Sequence, residues 1–329
     1  MDRRRVIKNV AASVDQRLRN LSAQDQLVLD DVRIRYVTER FLYRLSLSPY
    51  KNDYVLKGAF MLQTMAESLY RPTRDVDLQG YVHVEPQAAA GHFRDVLEQD
   101  TSAPSDGLRF VQESIRVESL HGVVGYRLKV EARLGPSRYT MQADIAYGDR
   151  PTPAPVERTI PSLLNLPAPV LLCYRVETSL AEKFHAVVSH GDQNTRMKDY
   201  FDFWYVANQL PVSGPDLAAA LRAVFDNRNK PLPAATPVGL TDGFAQNKQP
   251  DWTKFRAKLR GVERGPEDLS DLVKEIRAFF MPVVRVAETD PEFRGRWDAD
   301  RGRWTDPRRG QGDAIPAPRE GKRTGKIAW

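Results

Sequence analysis

Residues 57–78 read KGAFMLQTMAESLYRPTRDVDL, and they are the most informative part of the chain. Gly58 follows a short strand-like run and precedes a helix-forming segment, which predicts a tight turn that opens a helix over residues 60–69. Backbone N–H groups at a helix start favour anions, because they lack partners within the helix and lie at the positive end of its dipole. The stretch closes on Asp75 and Asp77, which are predicted to lie on a strand.

Asp75 and Asp77 are expected to project from one face of that strand, because alternate side chains of a strand leave by the same side. Two carboxylates this close repel each other unless a cation lies between them. A hard divalent ion that also binds phosphate oxygens is the usual solution. Ion pairs with Arg71 and Arg74 are the alternative, and they are the commoner arrangement for an isolated pair of aspartates. The glycine turn and the carboxylates together predict a nucleoside triphosphate site.

The sequence resembles the nucleotidyl transferase AbiEii/AbiGii toxin family, a branch of the polymerase-beta-like nucleotidyltransferase superfamily. The resemblance begins with the strand, glycine turn, helix and RPTRDVD motif that end at Asp77. It continues with ADI at 143–145, TSLAEK at 178–183 and RMKDYFD at 196–202, in the expected order. One departure is Ala59, where many relatives carry a second glycine or a hydroxyl residue.

The resemblance implies an α/β fold with a mixed (α+β) sheet, in which a nucleotidyltransferase core precedes a helical C-terminal part. It implies a Mg²⁺-dependent enzyme with Asp75 and Asp77 as metal ligands. The catalytic residues would be Asp75, Asp77, Asp144, Lys183, Asp199 and Asp202. The nucleotide-binding residues would be Lys57, Gly58, Ala59, Arg71, Thr73 and Lys183.

Asp144 is the third candidate carboxylate. Apolar and polar residues alternate along 139–147, which places Asp144 on the polar face of a strand. If that strand pairs beside the one that carries Asp75 and Asp77, three carboxylates converge, and Asp144 can help to draw the proton from the attacking hydroxyl. A solvent-facing aspartate at a strand end is the alternative.

Lys183 is expected in the opening turns of a helix that Ser179 and Glu182 start as a capping box. On the flank of that helix it can reach a phosphate as a point charge. A plain exposed lysine is the alternative.

The segment 196–202 leaves two interpretations open. Lys198 and Asp202 lie four residues apart, which is the spacing of an ion pair within a helix. The family resemblance instead implies that Asp199 or Asp202 orients Lys183 or completes the active cleft. The sequence alone does not choose between them.

Composition and length are those of an intracellular enzyme. The chain has 329 residues, 41% of them hydrophobic, and a net charge of +6. It lacks an apolar run of the roughly 20 residues that span a bilayer, so we expect a cytoplasmic protein with no membrane contact. A single cysteine, Cys173, excludes an intramolecular disulfide and lies in a predicted core strand, which favours an inert buried thiol.

Four regions are expected along the chain. They are N-terminal helices at 1–50, the mixed-sheet core at 51–170, a helical domain at 171–289 and a basic tail at 290–329. The proline-rich segment 150–169 is predicted to connect the core to the helical domain. The tail combines ten basic residues, seven acidic ones and three tryptophans. Basic and aromatic residues together can bind RNA, but the mixed charge favours a solvated, disordered segment.

The resemblance implies the toxin of a type IV toxin–antitoxin or abortive-infection pair. The enzyme would move a nucleotide from a nucleoside triphosphate to an acceptor such as RNA or tRNA, and a cognate antitoxin would be its partner. Two alternatives stay open. One is an antibiotic-type enzyme that modifies a small molecule, and the other is a non-catalytic nucleic-acid-binding regulator whose carboxylates form ion pairs.

Overall fold

The computed structural model describes residues 9–65, 71–101, 105–122, 124–290 and 293–305. These residues form nine α-helices, one seven-stranded sheet and one two-stranded sheet. The helices are α1 (Val10–Gln24), α2 (Leu29–Leu47), α3 (Gly58–Met65), α4 (Pro86–Leu97), α5 (Val176–His190), α6 (Met197–Gln209), α7 (Gly214–Asn227), α8 (Asp242–Arg256) and α9 (Leu269–Thr289). The strands are β1 (Tyr54–Lys57), β2 (Asp75–Gly80), β3 (Leu108–Ser119), β4 (Gly125–Leu134), β5 (Ser137–Ala146), β6 (Val156–Thr159), β7 (Val170–Cys173), β8 (Arg296–Asp298) and β9 (Arg303–Thr305).

The large sheet is mixed, with the strand order β3-β4-β5-β2-β1-β7-β6. Strand β2 pairs antiparallel with β1 and parallel with β5, and β1 pairs parallel with β7. The predicted mixed α/β fold is therefore confirmed.

The register brings polar side chains into one row at the centre of the sheet. Lys57 of β1 lies opposite Asp77 of β2, and Asp77 lies opposite Asp144 of β5. Adjacent strands are roughly 4.8 Å apart, and side chains opposite each other share a face. The strand of Asp144 thus pairs directly beside the strand of Asp75 and Asp77.

Helix α3 begins at Gly58, directly after β1. Its first two turns bury Phe60, Met61 and Leu62 in the main core. The helix was predicted to run to residue 69, but residues 66–70 lie outside the described part of the chain.

Two elements differ from the sequence-based expectation in the middle and C-terminal parts. The proline-rich segment 150–169 was predicted as a connection, yet it contributes β6, the edge strand beside β7. Helix α8 was not predicted, because its sequence is polar and Pro250 lies inside it. Its apolar face is short, with Phe244, Ala245 and Trp252 buried.

The prediction of a disordered tail from residue 290 is wrong for residues 293–305. Strands β8 and β9 form a hairpin there, and Trp304 is only 2% exposed. Its indole Nε1 donates to the Phe279 carbonyl at 2.7 Å, and the Trp297 indole donates to the Ala207 carbonyl at 2.6 Å. Local composition did not reveal these contacts because they join the hairpin to helices α6 and α9. Residues 306–329 lie outside the described part of the chain.

Among the described residues, none of the helices combines the length and the apolar content that a membrane span requires. Cys173 is buried in β7, as its apolar surroundings in the sequence predicted.

Candidate active site

The carboxylate of Asp77 packs directly against the Cα atom of Gly58. Gly58 has a φ angle of +72°, and a Cβ atom placed on it would lie 2.0 Å from Oδ2 of Asp77. Only glycine adopts this backbone conformation at little cost, and only glycine leaves room for the carboxylate. The start of α3 and the carboxylate of β2 are thus held against each other.

A cavity of about 360 Å³ opens in front of this contact. The sheet supplies one wall and helix α5 supplies the other. The lining residues include Lys57, Gly58, Asp77, Asp144, Glu182, Lys183 and Arg196, together with His121 from the β3–β4 connection. The structure therefore gathers four of the predicted site residues on the sheet side and Lys183 on the helix side.

The environment of Asp77 disfavours its charged form. Burial and then the negative charge of Asp75 raise the pKa of Asp77, while the positive charges of Lys57, Lys183 and Lys198 oppose the rise. The net pKa lies above the ordinary value for an aspartate. A partly buried carboxylate beside a second carboxylate is an arrangement that an added cation stabilises.

The side chain of Asp75 projects from the same face of β2 as that of Asp77 but lines a different cavity. That neighbouring cavity also contains Arg33, Arg74 and Gln142. Thr73, which was predicted to bind nucleotide, donates its hydroxyl to Oδ1 of Asp75 at 3.0 Å.

Asp144 is held by an arginine that the sequence analysis did not single out. Arg127 of β4 donates from Nε and Nη2 to the two carboxylate oxygens at 2.8 and 2.7 Å. This fork is the geometry in which arginine binds a carboxylate most strongly. The hydrogen bond to Asp144 is the main reason that the pKa of Arg127 is raised. Asp144 is therefore ion-paired on one side while it lines the cavity on the other.

Lys183 lies between two buried aspartates of α6. Its Nζ atom is 2.8 Å from Oδ1 of Asp199 and 2.8 Å from Oδ2 of Asp202. Arg71 binds Asp202 through Nε and Nη2 at 2.6 and 2.8 Å, and Nε of Arg196 lies 2.6 Å from Asp199. We call these five residues the ionic cluster. Both aspartates contact Lys183, and Asp202 also binds Arg71 from the connection that precedes β2.

The ionic cluster keeps its members charged despite burial. Burial alone raises the pKa of Asp202, but Arg71 and Lys183 outweigh it, so the pKa is lowered. Burial alone lowers the pKa of Lys183, but Asp202 and Asp199 outweigh it, so this pKa is raised. The cavity wall on the α5 side therefore carries a fixed ammonium group rather than a solvent-exposed one.

A family model for the nucleotidyl transferase AbiEii toxin of type IV toxin–antitoxin systems matches residues 40–280. This chain belongs to the AbiEii nucleotidyl transferase toxin family. The matched region contains the seven strands of the large sheet, the cavity and the whole ionic cluster, so the AbiEii assignment and the geometry concern the same part of the chain.

Two solved structures from Helicobacter pylori are similar to this AbiEii family member. JHP933 is 16% identical, with 81% of this chain and 95% of that chain covered at a TM-score of 0.48. A protein provisionally described as a nucleotidyltransferase is also 16% identical, with 81% and 98% covered at a TM-score of 0.47. The comparison with curated proteins finds no match.

Lys57, which lines the cavity beside Asp77, was predicted to bind nucleotide, and the structure gives it protein partners. Its Nζ atom lies 3.2 and 3.3 Å from the carboxylate oxygens of Glu182 and 3.3 Å from Oε1 of Gln79. The predicted capping box of Ser179 and Glu182 is wrong, because α5 already begins at Val176 and both residues lie inside it. Glu182 instead joins helix α5 to the end of β1.

Proposed function

We propose that this nucleotidyltransferase transfers a nucleotide from a Mg²⁺-bound nucleoside triphosphate to an RNA acceptor such as tRNA, and that it acts as the toxin of a toxin–antitoxin pair. The observation that supports this most is the contact between Gly58 and Asp77. It places a carboxylate at a helix N-terminus in a cavity that also holds a fixed lysine.

The donor chemistry at Asp75 and Asp77 fits Mg²⁺. This ion prefers oxygen ligands and is usually held in nucleotide sites by one or two carboxylates together with substrate phosphates. The described residues contain no cluster of three or more His, Cys, Asp or Glu at metal-binding distance, so the two aspartates would share the ion with the triphosphate. When bound, the ion supplies positive charge that activates the phosphoryl group.

The triphosphate would bind at the start of α3. Backbone N–H groups at a helix start, here those of Gly58 and Ala59, lack partners within the helix and favour phosphate oxygens. Lys183 lines the same cavity from α5, where its charge would stabilise pyrophosphate as it leaves. Asp199 and Asp202 act through Lys183 in this proposal, because their carboxylates hold the ammonium group at 2.8 Å. Arg71 in turn holds Asp202.

Asp144 would receive the proton of the attacking hydroxyl. The hydroxyl oxygen forms a bond to the α-phosphorus, the bond from that phosphorus to pyrophosphate breaks, and the proton passes to the carboxylate. Asp144 lines the cavity next to Asp77, and the Arg127 fork fixes its orientation. Membership in a family of nucleotidyl transferases removes the non-catalytic regulator from the alternatives.

The acceptor is tested by incubating the protein with each labelled nucleoside triphosphate, Mg²⁺ and one acceptor class at a time: total RNA, protein or small hydroxyl compounds. We expect label in RNA with one preferred nucleotide. Label found only in small molecules would instead support the antibiotic-type enzyme. Co-expression with the product of an adjacent gene tests the antitoxin.

A further inference from the structure

A further cavity, of about 830 Å³, lies between the residues that precede β2, the start of α6 and the end of α8. We call it the basic cleft. Six of its lining residues are cationic and two are acidic. The cations are Arg71, Arg74, Arg196, Lys198, Lys254 and Lys258.

Among the described residues, three of these cations have no acidic partner. The arginines pair with carboxylates, Arg74 with Asp31 and the other two within the ionic cluster. The second acidic residue of the lining, Asp251, lies 4.0 Å from Lys248. In the part of the chain that the structure describes, Lys198, Lys254 and Lys258 are in no ion pair, and all three are exposed. The basic cleft therefore carries an excess of positive charge that an external anion can neutralise.

The basic cleft adjoins the cavity of Asp77, because Arg196 lines both cavities. An anionic chain in the basic cleft would thus end beside the carboxylates of β2.

An aromatic side chain lies between the basic residues. Phe255 of α8 lines the basic cleft and is half-buried, and its ring stacks on Trp252 with centroids 5.6 Å apart. Strand-binding grooves commonly combine cations for phosphates with an aromatic ring for a base.

We propose that the basic cleft binds backbone phosphates of the RNA acceptor through Lys254 and Lys258 and leads the reacting end of that RNA to the Asp77 cavity. This inference rests on the proposed function and adds to it the surface that holds the acceptor. The cleft suits a polyanion better than a small hydroxyl compound, because it offers three lysines from two parts of the chain, Lys198 from α6 and Lys254 and Lys258 from the end of α8 and the residues after it.

The test compares the Lys254→Ala/Lys258→Ala variant with a Lys51→Ala/Lys230→Ala control, which loses the same charge outside both cavities. The probe is a short single-stranded RNA with a fluorescent 5′ end and a free 3′ hydroxyl, titrated from about 50 to 200 mM salt. We plot the logarithm of the RNA association constant against the logarithm of the salt concentration. The slope should become shallower by about 1.4, since two phosphate contacts are lost and each contributes about 0.7 for a single strand. The control should keep the parent slope.

Transfer kinetics give an independent readout. The KM for RNA should rise about tenfold or more in the cleft variant, while the affinity for nucleoside triphosphate and kcat stay near the parent values. Parent-like salt slope and KM in the cleft variant would overturn the inference. It is also overturned if the parent transfers nucleotide only to protein or small acceptors and does not bind the RNA probe. If the parent transfers nucleotide to no acceptor, the proposed function fails, and the binding titration still decides whether the cleft holds RNA.

Discussion

Oδ2 of Asp77 lies where the Cβ atom of any other residue at position 58 would lie, only 2.0 Å from that atom. Gly58 therefore serves two purposes at once. It permits the left-handed backbone that starts α3, and it lets the β2 carboxylate approach the new helix end.

Gly58→Ala is expected to destabilise the fold and displace Asp77. An L-residue at a φ angle of +72° costs about 1–2 kcal/mol, and the clash with the carboxylate adds to that cost. Urea denaturation of Gly58→Ala, Asp77→Ala and the double variant measures the backbone strain and the clash separately. We expect removal of the carboxylate to relieve the clash but not the backbone strain. Strictly additive changes in the free energy of unfolding would contradict the contact.

Lys183→Met is expected to affect both stability and transfer. Loss of the ammonium group leaves an arginine beside each of Asp199 and Asp202. We therefore expect the free energy of unfolding to fall by up to about 3 kcal/mol, the low end for a broken buried pair. At saturating nucleotide, the single-turnover rate should fall by about 10² to 10³, while nucleotide affinity changes little. Lys183→Arg should restore little of the rate, because the guanidinium is larger and forks its donors.

Stability and rate are measured separately for Lys183. Urea denaturation gives the first, and rapid-quench turnover well below the melting temperature gives the second. A folded Lys183→Met variant that transfers at the parent rate would show that the lysine has only a structural role.

Trp304→Ala is expected to destabilise the protein by about 3–5 kcal/mol, the usual cost of truncating a fully buried large aromatic residue. The indole is 2% exposed and donates to the Phe279 carbonyl. Arg301→Ala, in the same hairpin but exposed, is the control and should change stability little. Thermal melts of both variants beside the parent measure the change. Equal melting temperatures for parent and Trp304→Ala would mean that the hairpin does not stabilise the helical region.

Cys173 is expected to resist thiol reagents in the folded protein. Burial raises the pKa of the Cys173 thiol to about 12, so the reactive thiolate is scarce below that pH. Labelling in the native state should stay slow from about pH 7 to 10, whereas an unfolded thiol with a pKa near 8.5 reacts faster as the pH rises through that range. Mass spectrometry with and without urea measures this. Rapid native labelling near pH 8 would contradict the burial.

The sequence allowed much of the site to be predicted because its central residues lie close together in the chain. Gly58, Asp75 and Asp77 fall within one turn, helix and strand. The position of Asp144 followed once its strand was paired beside β2.

Arg127 could also have been found from the sequence. Strands β4 and β5 are joined by a tight turn at residues 135–136. In such a hairpin, residues equally far from the turn lie opposite each other, which places Arg127 opposite Asp144. Cross-strand pairs of opposite charge are common in such hairpins.

Other contacts carry no local signal. Arg71 and Asp202 are 131 residues apart in the chain, and Trp304 lies 25 residues from Phe279. Helix α8 was missed because its polar sequence and internal proline obscure the short buried face. Contacts of this kind depend on how the helical region packs, which periodicity does not encode.

The carboxylate of Asp77 should also respond to metal in the absence of turnover. Burial and Asp75 raise the pKa of Asp77, so the ionised group weakens the metal-free fold. Asp77→Asn should therefore melt at the parent temperature or above it in metal-free buffer, and Mg²⁺ should raise the melting temperature of the parent only. A clear drop without metal would mean that Asp77 forms a structural ion pair.

The most direct test of the account is the single-turnover transfer rate of Asp77→Asn at saturating labelled nucleoside triphosphate and Mg²⁺, measured beside the parent with total RNA as acceptor. The substitution keeps the size of the side chain and removes its charge. We predict a fall of about 10³ or more, beyond the usual loss of one electrostatic contact, because metal binding and phosphate positioning are lost together. A variant that transfers nucleotide within a few-fold of the parent rate would contradict the role of Asp77 as a metal ligand.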